Sequence, residues 1–340
     1  MEEPDRYSRQ IVFPGLGAEG QRRLGRGYAV VVGLGALGGV SASALVRAGV
    51  GRVRLIDRDF IERHNLQRQL LYTERDVEDD LPKAVAAERR LREANSGVQV
   101  EGVVADLHQV NAEQLLEGAD VIVDGLDNFE ARFLINDVAL KLGIPWVYGG
   151  AIQATGMTAT FLPHEQPCFR CLVDSPPARG GLTCDTGGVV NAAPWTVGSL
   201  QAAEALKIMA GTVPVSRELV VFDLWRRSFE TLPLESFVSA DCPSCKGTYE
   251  YLEGSRPGPR FTSLCGQNAV QVWDPGAMGA PLAELKDRLG LLGAVEGGGQ
   301  MLRFPVGEQE LVVFPDGRTI VRGTRDEELA RALYAKYLGM

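Results

Sequence analysis

The sequence predicts an α/β fold: a doubly wound, mostly parallel, Rossmann-like sheet followed by a small C-terminal α+β unit. Three observations predict it. Short apolar strands alternate with helices up to residue 150. A glycine-rich turn, "GLGALG", stands between a strand and a helix. Beyond the Gly- and Pro-rich stretch "EGSRPGPR" come further strand runs, the hairpin turn "PDG" and a closing helix. A chain of 340 residues suits two domains. The expected divisions are 1–252, a linker at 253–260, and an accessory unit at 261–340.

Each element has a local reason. Residues 6–27 turn helical in their second half, around "AEGQRRL". Val30 to Val32 form a buried strand, and a small-residue helix follows the glycines. "RVRLIDRD" is the second strand, ending in Asp57 and Asp59, and "LPKAVAAERRLREAN" is an amphipathic helix. "VQVEGVVAD" and "ADVIVDGLDN" are the third and fourth strands. "FEARFLINDVALKLG" is a helix closed by Gly143, and "IPWVYGGAI" is the next strand. "ATGMTATFLP" is extended, "TVGSLQAAEALKIMAG" is a helix with a glycine stop, and "RELVVFDLWRRSFETLPL" holds two strands.

Composition narrows the function classes. Hydrophobic residues make up 45% and charged residues 23%, a soluble globular balance. A formal net charge of −9 disfavours nucleic-acid binding, which needs an excess of Lys and Arg. No apolar stretch is long enough to span a bilayer, and the N-terminus lacks the apolar core of a signal peptide. A cytoplasmic protein is expected.

In "GLGALG", Gly33 permits the tight turn, Gly35 lets backbone approach a phosphate, and Gly38 allows close helix–strand packing. The helix N-terminus adds free N–H groups. Asp57 is placed to bind ribose hydroxyls. This motif serves NAD, FAD and ATP alike, and alone it favours an NAD-dependent oxidoreductase. The stretch "HNLQRQ" pulls the other way, because it supplies polar groups and little for a core. A triphosphate carries more charge than a dinucleotide, and its cleavage develops charge on pyrophosphate. Arg68 offers a fixed cationic fork. Lys83 opens a helix, where a cation opposes the dipole unless an anion is near. Asp127, past the fourth strand, sits where a Mg²⁺ ion would be held. The set points to ATP. His64, His108 and His164 are read as ordinary surface or loop residues.

"CFRC" and "CPSC" supply Cys168, Cys171, Cys242 and Cys245, enough thiolates for a closed tetrahedral Zn²⁺ site of structural type. Cys184 lies in the Gly-rich stretch "GLTCDTGGVV", and Cys265 opens the tail as a small hydrophobe.

"RYSRQI", "GLGALG", "DRDFIERHNLQRQ", "PKA" and "DNFEARFLIND" together resemble the signature of the ThiF/MoeB-type sulfur-carrier adenylyltransferases, relatives of the ubiquitin-activating enzymes. The resemblance runs from residue 5 to 248. It implies the same doubly wound sheet, usually as a homodimer. The activity it implies is ATP-dependent adenylation of the terminal glycine of a ubiquitin-like sulfur-carrier protein. By resemblance, Asp57 contacts ribose and Asp59 lies beside the phosphates. Asn65, Arg68 and Lys83 bind and polarise the phosphates, Gln69 orients its neighbours, and Asp127 binds Mg²⁺. Arg9 matches an arginine that reaches into the partner subunit's nucleotide site. The family also carries the zinc site and sometimes uses a cysteine at the position of Cys184 for a covalent intermediate; a small loop residue without catalytic weight is the alternative. A sulfur donor such as a cysteine desulfurase is a further implied partner. Many members stop near residue 250, so the tail is a departure. It docks a carrier or sulfur donor, or it serves as a structural cap. A third reading of the whole chain is a scaffold that binds carrier or nucleotide without turnover.

Overall fold

Alternation along the first strand shows how the sheet acquires two buried faces. In β1 (Tyr28–Val32), Ala29 and Val31 join one core cluster while Val30 and Val32 join the other. A strand buried on both sides needs apolar residues at successive positions, as in a parallel sheet covered by helices. The computed structural model describes residues 6–175, 187–254, 260–264, 268–274 and 281–338. The chain divides into two compact units, Met1–Gly254 and Ser255–Met340.

Two short helices, α1 (Ser8–Ile11) and α2 (Gly17–Leu24), precede β1. Then follow α3 (Gly38–Ala48), β2 (Arg52–Ile56), α4 (Glu74–Glu78), α5 (Lys83–Ala94) and β3 (Gln99–Val103). Next come α6 (Ala112–Leu116), β4 (Val121–Asp124), α7 (Phe129–Leu142), β5 (Trp146–Ile152) and β6 (Thr155–Phe161). The unit closes with α8 (Phe169–Leu172), α9 (Ala192–Ala210), β7 (Glu218–Asp223), β8 (Ser228–Pro233) and α10 (Glu250–Glu253). Strand order is β3-β2-β1-β4-β5-β6-β7-β8. The pairs from β3 to β5 are parallel, and β6, β7 and β8 extend the sheet antiparallel. The winding reverses between β1 and β4, the switch point beyond whose carboxyl ends such folds bind ligands.

The elements differ from expectation in detail. β2 stops at Ile56, because the Asp57 carboxylate accepts the Leu34 and Asp59 N–H groups and turns the chain. α9 begins at Ala192, four residues before the expected start at Thr196; Pro194 falls in its first turn, where no intrahelical N–H is needed. The five-residue helices α4 and α6 were not anticipated and are too short to show a period. His108 corrects the surface reading: it sits in a loop but is buried. His64 and His164 are exposed as expected.

In the second unit, β9 (Arg260–Ser263), β10 (Ala269–Trp273), β11 (Glu296–Gly298), β12 (Met301–Val306), β13 (Gln309–Val313) and β14 (Arg318–Arg322) form an antiparallel sheet. Helices α11 (Leu282–Gly290) and α12 (Glu327–Tyr337) pack with it around Val270, Leu302, Leu311 and Val321. The "PDG" turn joins β13 to β14, with Gly317 at φ 82°. The expected linker at 253–260 lies mostly outside the described residues, and so does Cys265. Among the described residues no helix is long and apolar enough to cross a membrane.

One buried ion pair fixes the backbone past β4. Arg132 donates from Nε to Asp124 Oδ2 (3.0 Å) and from Nη2 to the Leu126 and Gly149 carbonyls (2.6 and 2.8 Å). Burial pushes the Asp124 carboxyl up, against the pull of Arg132. The Asp124 side chain is fully buried and that of Arg132 nearly so. Asp124→Ala strands the guanidinium in the core, which costs about 3–5 kcal/mol. The urea midpoint of the first unit is expected to fall accordingly.

Candidate active site

The glycine turn is shaped by backbone contact. Gly33 has φ +86°, and a Cβ there would lie 2.7 Å from the Gly125 carbonyl. A Cβ on Gly38 would overlap the Gly33 carbonyl oxygen, so α3 must start with glycine to pack against the turn. At Gly35 the nearest neighbour of an added Cβ is the Gln69 amide nitrogen, at 3.8 Å. That position leaves an open cradle beside the N-terminal end of α3.

Asp57, Asp59 and Lys83 meet at the carboxyl edge of β2. The Asp57 carboxylate is buried and accepts from Leu34 N (2.6 Å) and Asp59 N (2.7 Å). Burial pushes it up, opposed by the Lys83 charge. Asp59 Oδ2 accepts from Lys83 Nζ at 3.0 Å, and the Asp59 carbonyl accepts from Lys83 N at 2.8 Å. Lys83 is buried. Burial disfavours its charge, yet Asp59 and Asp57 outweigh that and hold its pKa above the usual lysine range. The anion that a cation at a helix start requires is thus supplied by the chain itself.

Asp127 is exposed on the loop between β4 and α7, one residue before Asn128, whose Oδ1 accepts from Ala131 N and caps α7. Its charge reaches Arg58, Lys83 and Arg132. The structure therefore brings Asp57, Asp59, Lys83 and Asp127 to one edge of the sheet.

"HNLQRQ" forms a tight 3-10 turn and loop. Asn65 is buried, accepts from Glu62 N (3.1 Å) and lies 3.1 Å from His64 Nε2. Arg68 donates to the His64 carbonyl (3.0 Å) and is paired with no carboxylate among the described residues. Gln69 is buried, and its Oε1 has no hydrogen-bond partner among the described residues. A buried orphan of this kind, beside a glycine whose Cβ position is open, fits a polar ligand. Helix α9 clamps the loop: Trp195 Nε1 donates to the Arg68 carbonyl (2.7 Å) and Asn191 to that of Gln67 (3.3 Å). Tyr72 Oη donates to the Leu34 carbonyl (2.9 Å), tying this segment to the glycine turn.

Sequence reading missed several members. Arg58 links Asp106 and Asp59, and its only signal was its place between two acids in "DRDFIERHNLQRQ". Asp106, Asp124, Gly125 and Trp195 gave no local signal. Arg9 is exposed on α1, paired with no carboxylate among the described residues and far from this edge. Its neighbour Tyr7 meets Asn95, which also donates to the Val46 carbonyl, at the C-terminal ends of α3 and α5. Cys184 lies outside the described residues.

The cysteines come together. Sγ–Sγ distances are 3.6 Å for Cys168–Cys242, 3.6 Å for Cys171–Cys245 and 3.9 Å for Cys168–Cys171. All four sulfurs lie within 4.8 Å of one another, and none is in a disulfide. The hydrogen bond with Cys168 draws the Cys171 thiol down to about 5. That contact, then burial, pushes Cys168 up, and burial pushes Cys245 up to about 12. So many sulfurs at this spacing ionise together when a cation offsets them, and the cluster is able to hold a metal ion. Helix α7 carries both turns: Asn136 Oδ1 accepts from Phe169 N (3.0 Å), and Asp137 Oδ1 accepts from Ser244 Oγ (2.8 Å). Phe169 is fully buried among Phe133, Trp146 and Tyr148, with centroids 5.1–5.3 Å away. Each such ring pair adds about 0.5–1.5 kcal/mol beyond its burial.

Comparison with known proteins agrees with this geometry. The ThiF family model matches residues 7–244. The sulfur carrier protein ThiS adenylyltransferase of Bacillus subtilis is 42% identical over 338 residues, covering 98% of this chain and 99% of that protein. The sulfur carrier protein adenylyltransferase of Thermus thermophilus is 43% identical over 251 residues, covering 72% of this chain and 91% of that protein. The tail is therefore shared with the Bacillus relative and is not peculiar to this chain. Among solved structures, Escherichia coli MccB with ATP superposes with a TM-score of 0.61 at 21% identity, covering 71% of this chain and 75% of that one, a likeness of fold. A family match running through the nucleotide edge and the first cysteine turn as far as Ser244, together with these relatives, means that the chain belongs to the ThiF family.

Proposed function

We propose that this chain is an adenylyltransferase that activates the C-terminal glycine of a ubiquitin-like sulfur-carrier protein with ATP. One observation carries the reading: the buried Lys83, paired with Asp59, stands at the switch-point edge beside the open Gly35 cradle, with Asp127 within its electrostatic reach. A dinucleotide has little use for a buried, permanently charged lysine there. A triphosphate losing pyrophosphate does.

The carrier's terminal carboxylate attacks the α-phosphorus of ATP. A new P–O bond forms, the α–β bridging bond breaks, and pyrophosphate leaves with its electron pair. The nucleophile is already ionised, so the chain supplies no general base. Asp57 holds the ribose hydroxyls. Asn65 and Gln69 line the phosphate path, and Lys83 and Arg68 offset the charge on the phosphate oxygens. Mg²⁺ held by Asp127 would draw charge from the outer phosphates. Positioning and electrostatics supply the acceleration. The terminal sulfur of a donor persulfide, such as that of a cysteine desulfurase, then attacks the acyl carbon: a C–S bond forms, the C–O bond to the phosphate breaks and AMP leaves with the electron pair.

The assembly is a homodimer in which Arg9 completes the partner's site. Within one chain Arg9 lies near the C-terminal end of α3, whereas the glycine turn is at its N-terminal end. The 11 residues of α3 span about 16 Å. Val12 and Phe13 beside Arg9 are exposed, and so is Leu70 beside Gln69. Leu70 borders a groove of about 310 Å³ with Val40, Ala44, Arg47 and Leu71. In a two-fold contact the apolar knob of each chain meets the apolar groove of its partner.

The cysteine cluster is a structural zinc site. A tetrahedron with ~2.3 Å Zn–S bonds has S···S edges of about 3.8 Å, close to the 3.6–3.9 Å of three of the sulfur pairs. Such a reduced cluster suits the cytoplasm.

Arg68→Ala and Asp127→Ala are each expected to lower carrier-dependent pyrophosphate–ATP exchange by about 10²–10³-fold without unfolding the protein. Full exchange in either would remove the site assignment. Arg9→Ala and Lys83→Ala chains, inactive separately, should regain about a quarter of wild-type exchange when co-assembled, because the mixed dimer has one intact site. No recovery would place Arg9 outside the partner's site. Freshly purified protein should release one zinc per chain to a chelator, with loss of secondary structure around the cysteine turns. A zinc content near zero would exclude the tetrathiolate.

A further inference from the structure

Two residues at the nucleotide edge have no part in the scheme above, although they are tied directly to it. Arg58 stands between Asp57 and Asp59. Its Nη1 lies 3.1 Å from both Asp106 carboxylate oxygens, and its Nε lies 3.6 Å from Asp59 Oδ1. Asp106 comes from the loop after β3 and is itself braced. Asn111 Nδ2 donates to its carbonyl (2.8 Å), while Asn111 Oδ1 accepts from His108 N (2.9 Å). The other Asp59 oxygen accepts from Lys83. A continuous chain, Asp106–Arg58–Asp59–Lys83, thus crosses the carboxyl edge from the β3 loop to the start of α5. Asp106 chiefly, with Asp59 and Asp127, raises the Arg58 pKa despite burial, so the guanidinium is a permanent charge in this setting.

We infer that Arg58, anchored by Asp106, is a positioning residue for adenylation that acts through Asp59 on Lys83. The inference rests on the adenylation reading above. Its physical basis is the division of one carboxylate between two cations. With Arg58 on Oδ1, Asp59 presents Oδ2 to Lys83, and the ammonium stays directed by one oxygen. Without Arg58, its pull on Oδ1 is lost and the carboxylate shifts toward Lys83, which draws the ammonium away from the phosphates. The cluster also becomes more negative. Asp57, Asp59, Asp106 and Asp127 surround Arg58 and Lys83, with Arg132 also within reach of Asp127. Removing one cation leaves less positive charge to offset what develops on the phosphates in the transition state. Arg58 need not touch ATP for either effect.

The test is carrier-dependent pyrophosphate–ATP exchange on the full-length protein with a ThiS carrier, using Arg58→Met, Arg58→Lys, Asp106→Asn and the Arg58→Met/Asp106→Asn double variant. Arg58→Met should lower kcat about 10–100-fold, with the KM for ATP moving less than about threefold, because the loss is felt where charge develops. Arg58→Lys should recover most of kcat. Asp106→Asn should lower kcat by less than Arg58→Met, and the double variant should be no slower than Arg58→Met, because Asp106 acts through Arg58. Unchanged kcat in Arg58→Met overturns the inference. So does an equal loss in Arg58→Lys, and so does an additive double variant. Absence of exchange in the wild-type protein overturns the adenylation reading and this inference with it. An active wild type with unaffected Arg58 variants overturns the inference alone.

Discussion

The Asp59–Lys83 link is the constraint on which the nucleotide edge depends. It is made twice, once from Nζ to carboxylate and once from the Lys83 N–H to the Asp59 carbonyl. The second bond satisfies a donor that the first turn of α5 would otherwise leave open. The first holds a charge that burial and the helix dipole both oppose. Together they fix the end of β2 against the start of α5, so Asp57 and Lys83 keep one relative position. The Asp57 carboxylate in turn holds Leu34 of the glycine turn. Three segments distant in sequence are thereby set by two acidic side chains.

Helix α7 extends the same order to the other side of the molecule. Asp127 and the cap Asn128 stand at its N-terminal end, Arg132 locks the preceding loop through Asp124, and Asn136 and Asp137 hold the cysteine turns. Arg132 and Asn136 are four residues apart, about one helical turn, so the helix meets the β4 loop and the cysteine turns in succession. The metal-binding turn is further seated by Phe169 among the core aromatics. A metal ion held by these cysteines would brace the elements that carry the Asp127 loop.

What the sequence made legible were features written over short spans. The glycine turn, the acids ending β2, the run from His64 to Gln69 and the paired cysteines each depend on local spacing and residue type. The alternation of strands and helices predicted the parallel half of the sheet, because its apolar runs are buried on both faces. Illegible features depended on partners far along the chain. The Arg58–Asp106 pair spans 48 positions and the Trp195–Arg68 contact spans 127. His108 looked like a surface residue because burial of a loop is decided by what packs over it. The start of α9 was misplaced because a first-turn proline resembles a breaker when only the sequence is seen. In the tail, strand and helix types were readable, whereas the order β11-β12-β13-β14-β10-β9 follows from pairings that no single segment encodes.

The balance of charge explains how an acidic chain handles two anionic reactants. Net charge is a property of the whole surface, whereas the reaction responds to the few charges within reach of the phosphates. Lys83 is kept protonated because Asp59 and Asp57 outweigh the cost of its burial. It therefore acts as a fixed charge and not as an acid or base near neutral pH. The nucleophile is a carboxylate and the leaving group is pyrophosphate, so neither demands a proton at the moment of transfer. Placing cations, and placing acids to hold those cations, is then the main electrostatic work of the site. This accounts for a catalytic edge built from Asp, Arg and Lys with no histidine assigned to the chemistry.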